Sequence, residues 1–380
     1  MPTAGRTRRA MAGANRTKPG VWPAAIMGTL LALSCLGAHA QSPCRIGYDM
    51  GSSGIRASMT GSDQQPRADI DYLAPLLAGR RLDETAVPTI DALRSLPAKA
   101  GFGAECLRVA AGFSAWRLAL QRDRPSLVNL LARLHAQTGV SVLVMPQTAE
   151  GSYAYRSAMQ QLGTRLHSSH VLDIGGGSLQ VAGQRTTYGE ALGQKTWDHA
   201  LCLALAGTTG QPCALQPMSA ARLARARDLL AQRLAGIPAA LPEPVSMTAI
   251  SRPVTQGVAP AVARLNGDPP GQALLRLADL SLAIGKLAAL ELPQAARRLA
   301  LDERYAAYLL SDMLLVEGIM KATGNSYLLV AQADLSNAQG LLSDDQAYGW
   351  VGRYACYLQR LSADGLAAYS SDAASCAAGN

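Results

Sequence analysis

The chain has 380 residues, 49% of them apolar and 16% charged, with Lys+Arg 35 against Asp+Glu 27 for a formal net charge of +8. That apolar content excludes wholesale disorder, because it supplies enough buried surface to offset the entropy of ordering the chain. Aromatic residues are only 5%, which disfavours base stacking, so nucleic acid is not an expected partner.

The charge is unevenly placed. Arg6, Arg8, Arg9, Arg16 and Lys18 precede an apolar run from Ala24 to Leu33, followed by Ala38-His39-Ala40, and the first forty residues hold no acid. A basic region, an apolar region and a small-x-small site together read as a secretory signal peptide over residues 1–40, cut after Ala40. The run is shorter than the roughly 20 apolar residues a spanning helix needs, so no stable membrane anchor is expected after cleavage. A periplasmic or secreted protein is therefore predicted. Removing those five charges from +8 leaves +3 for residues 41–380, too little for bulk charge to select a polyanion.

Cleavage also removes Cys35 and turns seven cysteines into six, an even number suited to disulfides in an oxidising compartment. The closest pairs in sequence, Cys202 with Cys213 and Cys356 with Cys376, would leave Cys44 with Cys106. Spacing alone does not choose among the alternatives.

In the mature chain, residues 45–54 read Arg-Ile-Gly-Tyr-Asp-Met-Gly-Ser-Ser-Gly and residues 170–178 read His-Val-Leu-Asp-Ile-Gly-Gly-Gly-Ser. Each is a short apolar run, an Asp and a Gly/Ser cluster, which predicts strand, tight turn, strand. The aspartates, Asp49 and Asp173, stand 124 residues apart. That is about one small domain, so an internal duplication follows. Pro125 opens a helix with Leu127, Leu130, Leu131 and Leu134 on one face and Gly139 at its end. Residues 140–145 then form a strand. Helices are predicted at about 219–235, 271–292 and 301–323 and a strand at 327–330, while 236–270 is expected to be loop-rich. Strands alternate with helices, so the class is α/β. The tail 346–380 needs a tie such as Cys356 to Cys376 to be ordered. His167 and His170 read as surface polar residues, and Arg222, Arg225, Arg227 and Arg233 as a solvated helix face.

Successive backbone N–H groups in a glycine-rich turn can point at one anion, because glycine tolerates positive φ and leaves room for close approach. Two such turns, Gly51-Ser52-Ser53 and Gly175-Gly176-Gly177-Ser178, facing each other would cradle a phosphate chain. Asp49 and Asp173 at their starts can hold Mg²⁺ (or Mn²⁺) through carboxylate oxygens. No Gly-Lys-Ser/Thr follows either turn, which excludes a P-loop. Hydrolysis needs a base to orient water, and Glu150, just past the strand at 140–145, is the candidate.

These residues resemble the exopolyphosphatase and guanosine pentaphosphate phosphohydrolase (Ppx/GppA) family. The resemblance rests on the two turns, on Thr138-Gly139-Val140 leading into Glu150-Gly151-Ser152-Tyr153, and on Ser114-Ala115-Trp116-Arg117. It is clear over residues 44–185. It implies the actin-like ATPase superfamily: duplicated ribonuclease-H-like halves with an interdomain cleft, here at 41–160 and 161–345. It also implies release of terminal phosphate from polyphosphate or another phosphoanhydride, with Mg²⁺, Glu150 as the water-activating glutamate, and Asp49 and Asp173 as the loop aspartates. Departures matter as well. Gln180 stands where the family has a glutamate, and Ala338 and Gln339 where it has arginine and glutamate. A catalytically impaired relative that binds a phosphorylated ligand or a protein partner in the cleft is the alternative. The oligomeric state is left open, a homodimer being one option.

Overall fold

Two glycine-turn hairpins sit at matching places in two sheets, and the rest of the architecture follows from that repetition. The computed structural model describes residues 43–376 apart from 211–212, 242–244, 270 and 334, so the expected signal peptide and its cleavage site lie outside the described residues.

The first half runs β1 (Arg45–Met50), β2 (Gly54–Met59), β3 (Arg67–Asp69), α1 (Leu73–Leu77), α2 (Ala86–Lys99), β4 (Leu107–Gly112), α3 (Ser114–Arg122), α4 (Arg124–Thr138), β5 (Ser141–Val144) and α5 (Gln147–Leu162). The second half runs β6 (His170–Ile174), β7 (Leu179–Gly183), β8 (Thr187–Glu190), α6 (Gln194–Leu201), α7 (Ala220–Arg233), α8 (Ile237–Ala240), β9 (Met247–Ala249), α9 (Ala259–Asn266), β10 (Leu274–Arg276), α10 (Leu277–Ala288), α11 (Leu292–Leu299), α12 (Glu303–Ala322) and β11 (Tyr327–Val330). The chain closes with α13 (Asn337–Leu342), α14 (Asp345–Gly349), α15 (Tyr354–Asp364) and α16 (Ala367–Ser370). Among the described residues no helix is long and apolar enough to cross a membrane.

The first sheet has the order β3-β2-β1-β4-β5, and the second β10-β11-β9-β6-β7-β8. Read outward from β6, the second repeats the first. An antiparallel hairpin flanks one side (β1–β2, β6–β7) and a parallel strand the other (β1–β4, β6–β9). Even the register repeats, since Asp49 pairs with Arg56 and Asp173 with Gln180. The expected α/β class and duplication are thus present, with β10 added at the edge of the second sheet.

Helix α4 forms as its sequence suggests. Asp123 accepts from Ser126 N at 3.1 Å, Pro125 sits in the first turn where its missing N–H costs nothing, and Gly139 closes the helix at φ 69°. Residues 236–270 are more ordered than expected, containing β9 and α9. Their short apolar stretches become elements only by docking on β6 and on α10, a tertiary cause that periodicity cannot register.

Residues 337–376 return to the first half. Leu341, Trp350, Tyr354, Tyr357 and Leu361 join the core that contains Ile46, Val109, Leu131 and Val142, so the expected boundary at 345/346 falls inside this returning segment. All three disulfides form, Cys44–Cys106, Cys202–Cys213 and Cys356–Cys376. His170 corrects the surface reading: it is buried, with its ring between Ser169 Oγ at 2.9 Å and Thr186 Oγ1 at 2.8 Å.

Candidate active site

The two glycine turns meet. A Cβ added at Gly176 would stand 2.9 Å from Ser52 Cβ, and one at Gly177 would lie 3.0 Å from Ser114 Oγ and 3.2 Å from Ser52 Oγ. Only backbone can fill that space, which explains glycine at both positions. Each turn is closed by its own bond, Gly51 N to Gly54 O at 3.1 Å and Gly175 N to Ser178 O at 2.8 Å. Ser52 Oγ and Ser114 Oγ share a hydrogen bond of 2.5 Å, tying the first turn to the start of α3. Gly193 underlies the second turn, since a Cβ there would stand 2.4 Å from Gly175 O.

Glu150 lies in the first turn of α5, which leaves β5 in the first sheet and lies against β7 and β8 of the second. Gly151 makes that approach possible, because a Cβ on it would stand 2.5 Å from Thr187 Cγ2. Glu150 is therefore carried to the second hairpin and buried there. Its Oε2 accepts from Arg117 Nη2 at 2.6 Å and Gln180 Nε2 at 3.0 Å, with Ser178 Oγ at 3.5 Å, the outer limit of a hydrogen bond. Arg117, equally buried, also donates to Ser178 Oγ at 3.0 Å and Met145 O at 3.1 Å. Burial pushes the Glu150 carboxyl above the usual range, the Arg117 guanidinium opposes that push, and Asp49 adds to it.

Asp49 and Asp173 converge on Asn337 at the start of α13. Asp49 Oδ2 accepts from Asn337 N at 3.2 Å and Ser336 Oγ at 3.3 Å, while Asp173 Oδ2 accepts from Asn337 Nδ2 at 3.4 Å. Burial raises Asp49, with Arg56 opposing. Asp173 is pushed up to about 7 by burial, then by the charges of Glu150 and Asp49. Arg117 supplies positive charge directly on Glu150, so the pair that offers carboxylate oxygens to a hard divalent cation is Asp49 and Asp173, which meet on Asn337. Among the described residues the one group of three potential ligand atoms gathered together is Cys44, Glu105 and Cys106, where the disulfide removes both thiolates.

The structure thus brings Glu150, Asp49, Asp173 and both turns into one cluster. It adds Arg117, Gln180, Ser114, Ser336 and Asn337. Arg117 and Gln180 were visible in the sequence as parts of matched or altered motifs, but their partner, Glu150 Oε2, was not. Asn337 stands beside the altered motif at Ala338 and Gln339, with no sign there of its aspartate partners.

No protein-family model matches the chain. An uncharacterized protein of Streptomyces coelicolor is 31% identical over 226 residues, spanning 57% of this chain and 64% of that one; the match thus covers less than two thirds of that relative. Among solved structures, a Ppx/GppA phosphatase of Aquifex aeolicus superposes with a TM-score of 0.57 at 17% identity, over 80% of this chain and 100% of that one. A second structure of an Aquifex aeolicus Ppx/GppA enzyme gives 0.60 at 16% identity, over 80% and 99%. An exopolyphosphatase of Cytophaga hutchinsonii gives 0.59 at 16% identity, over 79% and 96%. The fold is that of the Ppx/GppA phosphatases. It is a duplicated α/β architecture with one glycine-turn hairpin in each sheet, and at these identities the likeness extends to the fold alone.

Proposed function

We propose that this chain is a divergent, exported Ppx/GppA-type phosphohydrolase that releases terminal phosphate from polyphosphate or a related phosphoanhydride. The observation that carries the reading is the meeting of the two turns, Gly176 against Ser52, with Glu150 bonded into the second of them. Backbone N–H groups of both turns would bind the terminal phosphate, and Arg117 beside them would add a fixed guanidinium. Glu150 would accept a proton from a water aimed at the terminal phosphorus. The bond to the bridging oxygen then breaks, giving orthophosphate and a chain one unit shorter. Asp49 and Asp173 would hold Mg²⁺ or Mn²⁺, which supplies charge neutralisation for the phosphate oxygens. Three disulfides favour an oxidising compartment, consistent with cleavage after Ala40 and action in the periplasm or outside the cell.

One observation favours a second reading, a binding protein that has lost turnover. Gln180 donates to Glu150 where the family resemblance has a carboxylate, so Oε2 of the candidate base is already held by Gln180 and Arg117. Phosphate release by the purified mature protein, measured with Mg²⁺ or Mn²⁺ on polyphosphate, nucleoside triphosphates and guanosine pentaphosphate, separates the two. Turnover of polyphosphate supports the hydrolase. Tight binding without release of phosphate supports the alternative.

A further inference from the structure

The second half holds a cavity that the proposed phosphate chemistry does not use. Helices α7 and α12 approach closely because residue 318 is glycine: a Cβ there would stand 2.3 Å from Leu230 Cδ2. Beside that contact the two helices and α8 leave a pocket of about 310 Å³, walled by Leu230, Leu234, Ala235, Pro238 and Leu314. This is near the small end of the roughly 300–1,000 Å³ range of small-molecule sites.

One end of the pocket is charged. Glu317, almost wholly buried, accepts from Arg227 Nε at 2.7 Å and Nη2 at 2.9 Å, from Ser281 Oγ at 2.6 Å and from Lys321 Nζ at 3.1 Å. Arg227 is thus part of a built cluster and not of a plain solvated face. Two cations meet one carboxylate, so this end is net positive, and with side chains 34% and 49% exposed both cations remain reachable. Glu317 holds the two heads in place before any ligand arrives, which lowers the ordering cost of binding an anion.

We infer that this pocket binds a monocarboxylate with a short aliphatic chain, the chain against the leucine walls and the carboxylate against Arg227 and Lys321. At about 30 Å³ per water-sized group, the space admits roughly ten such groups, the size of an eight-carbon acid. Inorganic phosphate would gain nothing from the apolar walls, and an alkylammonium head would be repelled by the cations. The inference is independent of the phosphohydrolase reading.

Isothermal titration of the mature protein with octanoate, octanol and octylammonium tests it. Octanoate is expected to bind one to one and at least tenfold more tightly than octanol, and octylammonium not at all. Ala235→Phe, at the exposed rim, fills the pocket without touching the Glu317 cluster and is expected to weaken octanoate at least tenfold. Lys321→Met is expected to reduce the preference for octanoate over octanol. Equal affinity for octanoate and octanol, undiminished binding by Ala235→Phe, or no saturable octanoate binding because a second copy or another protein covers this face would each overturn the inference.

Discussion

Replacing Arg117 with Met removes the cation beside the candidate base while keeping the stem's apolar volume. The pair is buried, with side chains 6% and 7% exposed and a separation of 2.6 Å. Removing one partner of such a pair costs about 3–5 kcal/mol, because the other charge stays buried and uncompensated. The sign with pH follows from Glu150, whose carboxyl is already raised by burial and held back by Arg117. Without the guanidinium it rises further, so the folded state favours its protonated form. The deficit should then be smallest at low pH and grow as pH rises through the folded value. Urea unfolding of wild type, Arg117→Met and Arg117→Met/Glu150→Gln, in EDTA at pH 5 and pH 8, measures this. The single variant should lose most at pH 8, and the double variant should regain at least half of the loss. A deficit at pH 8 under about 1 kcal/mol, the ceiling for an exposed pair, or one equal at both pH values, would show that Arg117 does not compensate a buried Glu150 charge.

Three further expectations concern stability, each read by urea unfolding. Gly340→Ala should cost about 1–3 kcal/mol, because its Cβ would stand 2.3 Å from Tyr153 O, a backbone atom of α5 that cannot turn aside. Cys356→Ser/Cys376→Ser opens a loop with a sequence separation of 20 and should cost about 2–4 kcal/mol under oxidising conditions, with reductant narrowing the gap between variant and wild type. Asp312 is buried on α12 beside Gln194, and its carboxyl is pushed up to about 8 by burial, with Asp198 adding to it. Its stabilising contribution is present below the ordinary carboxyl value and is lost as pH rises through about 8, so Asp312→Asn should flatten the decline of wild-type stability between pH 5 and 9.

What could be read from the sequence is what local chemistry dictates. Asp49, Asp173 and the Gly/Ser turns are written in runs of about ten residues, since a tight turn between strands demands glycine wherever it is placed. Glu150 stood out through its position after a strand. Arg117 and Asn337 depend on approach across the fold, Arg117 to a carboxylate 33 residues later and Asn337 to aspartates on both hairpins, and no spacing rule encodes such distances. The same holds for residues 337–376. The tail from 346 was expected to depend on a tie such as Cys356 to Cys376, yet Trp350, Tyr354 and Tyr357 are also buried in the first core. Tyr153 and Tyr369 both donate to Asp344, fastening the segment to α5. Disulfide pairing was open in the sequence for a like reason: Cα separations of 4.8, 6.0 and 6.3 Å are products of the fold.

In the proposed reaction Glu150 activates water beside phosphate held by the two turns. Its most direct test compares phosphate release from polyphosphate by the mature wild type and Glu150→Gln in Mg²⁺, with polyphosphate affinity measured in parallel. General-base catalysis contributes about 10²–10⁴-fold, so release should fall at least 100-fold while affinity changes little. Release at the wild-type rate from Glu150→Gln would remove Glu150 from the reaction.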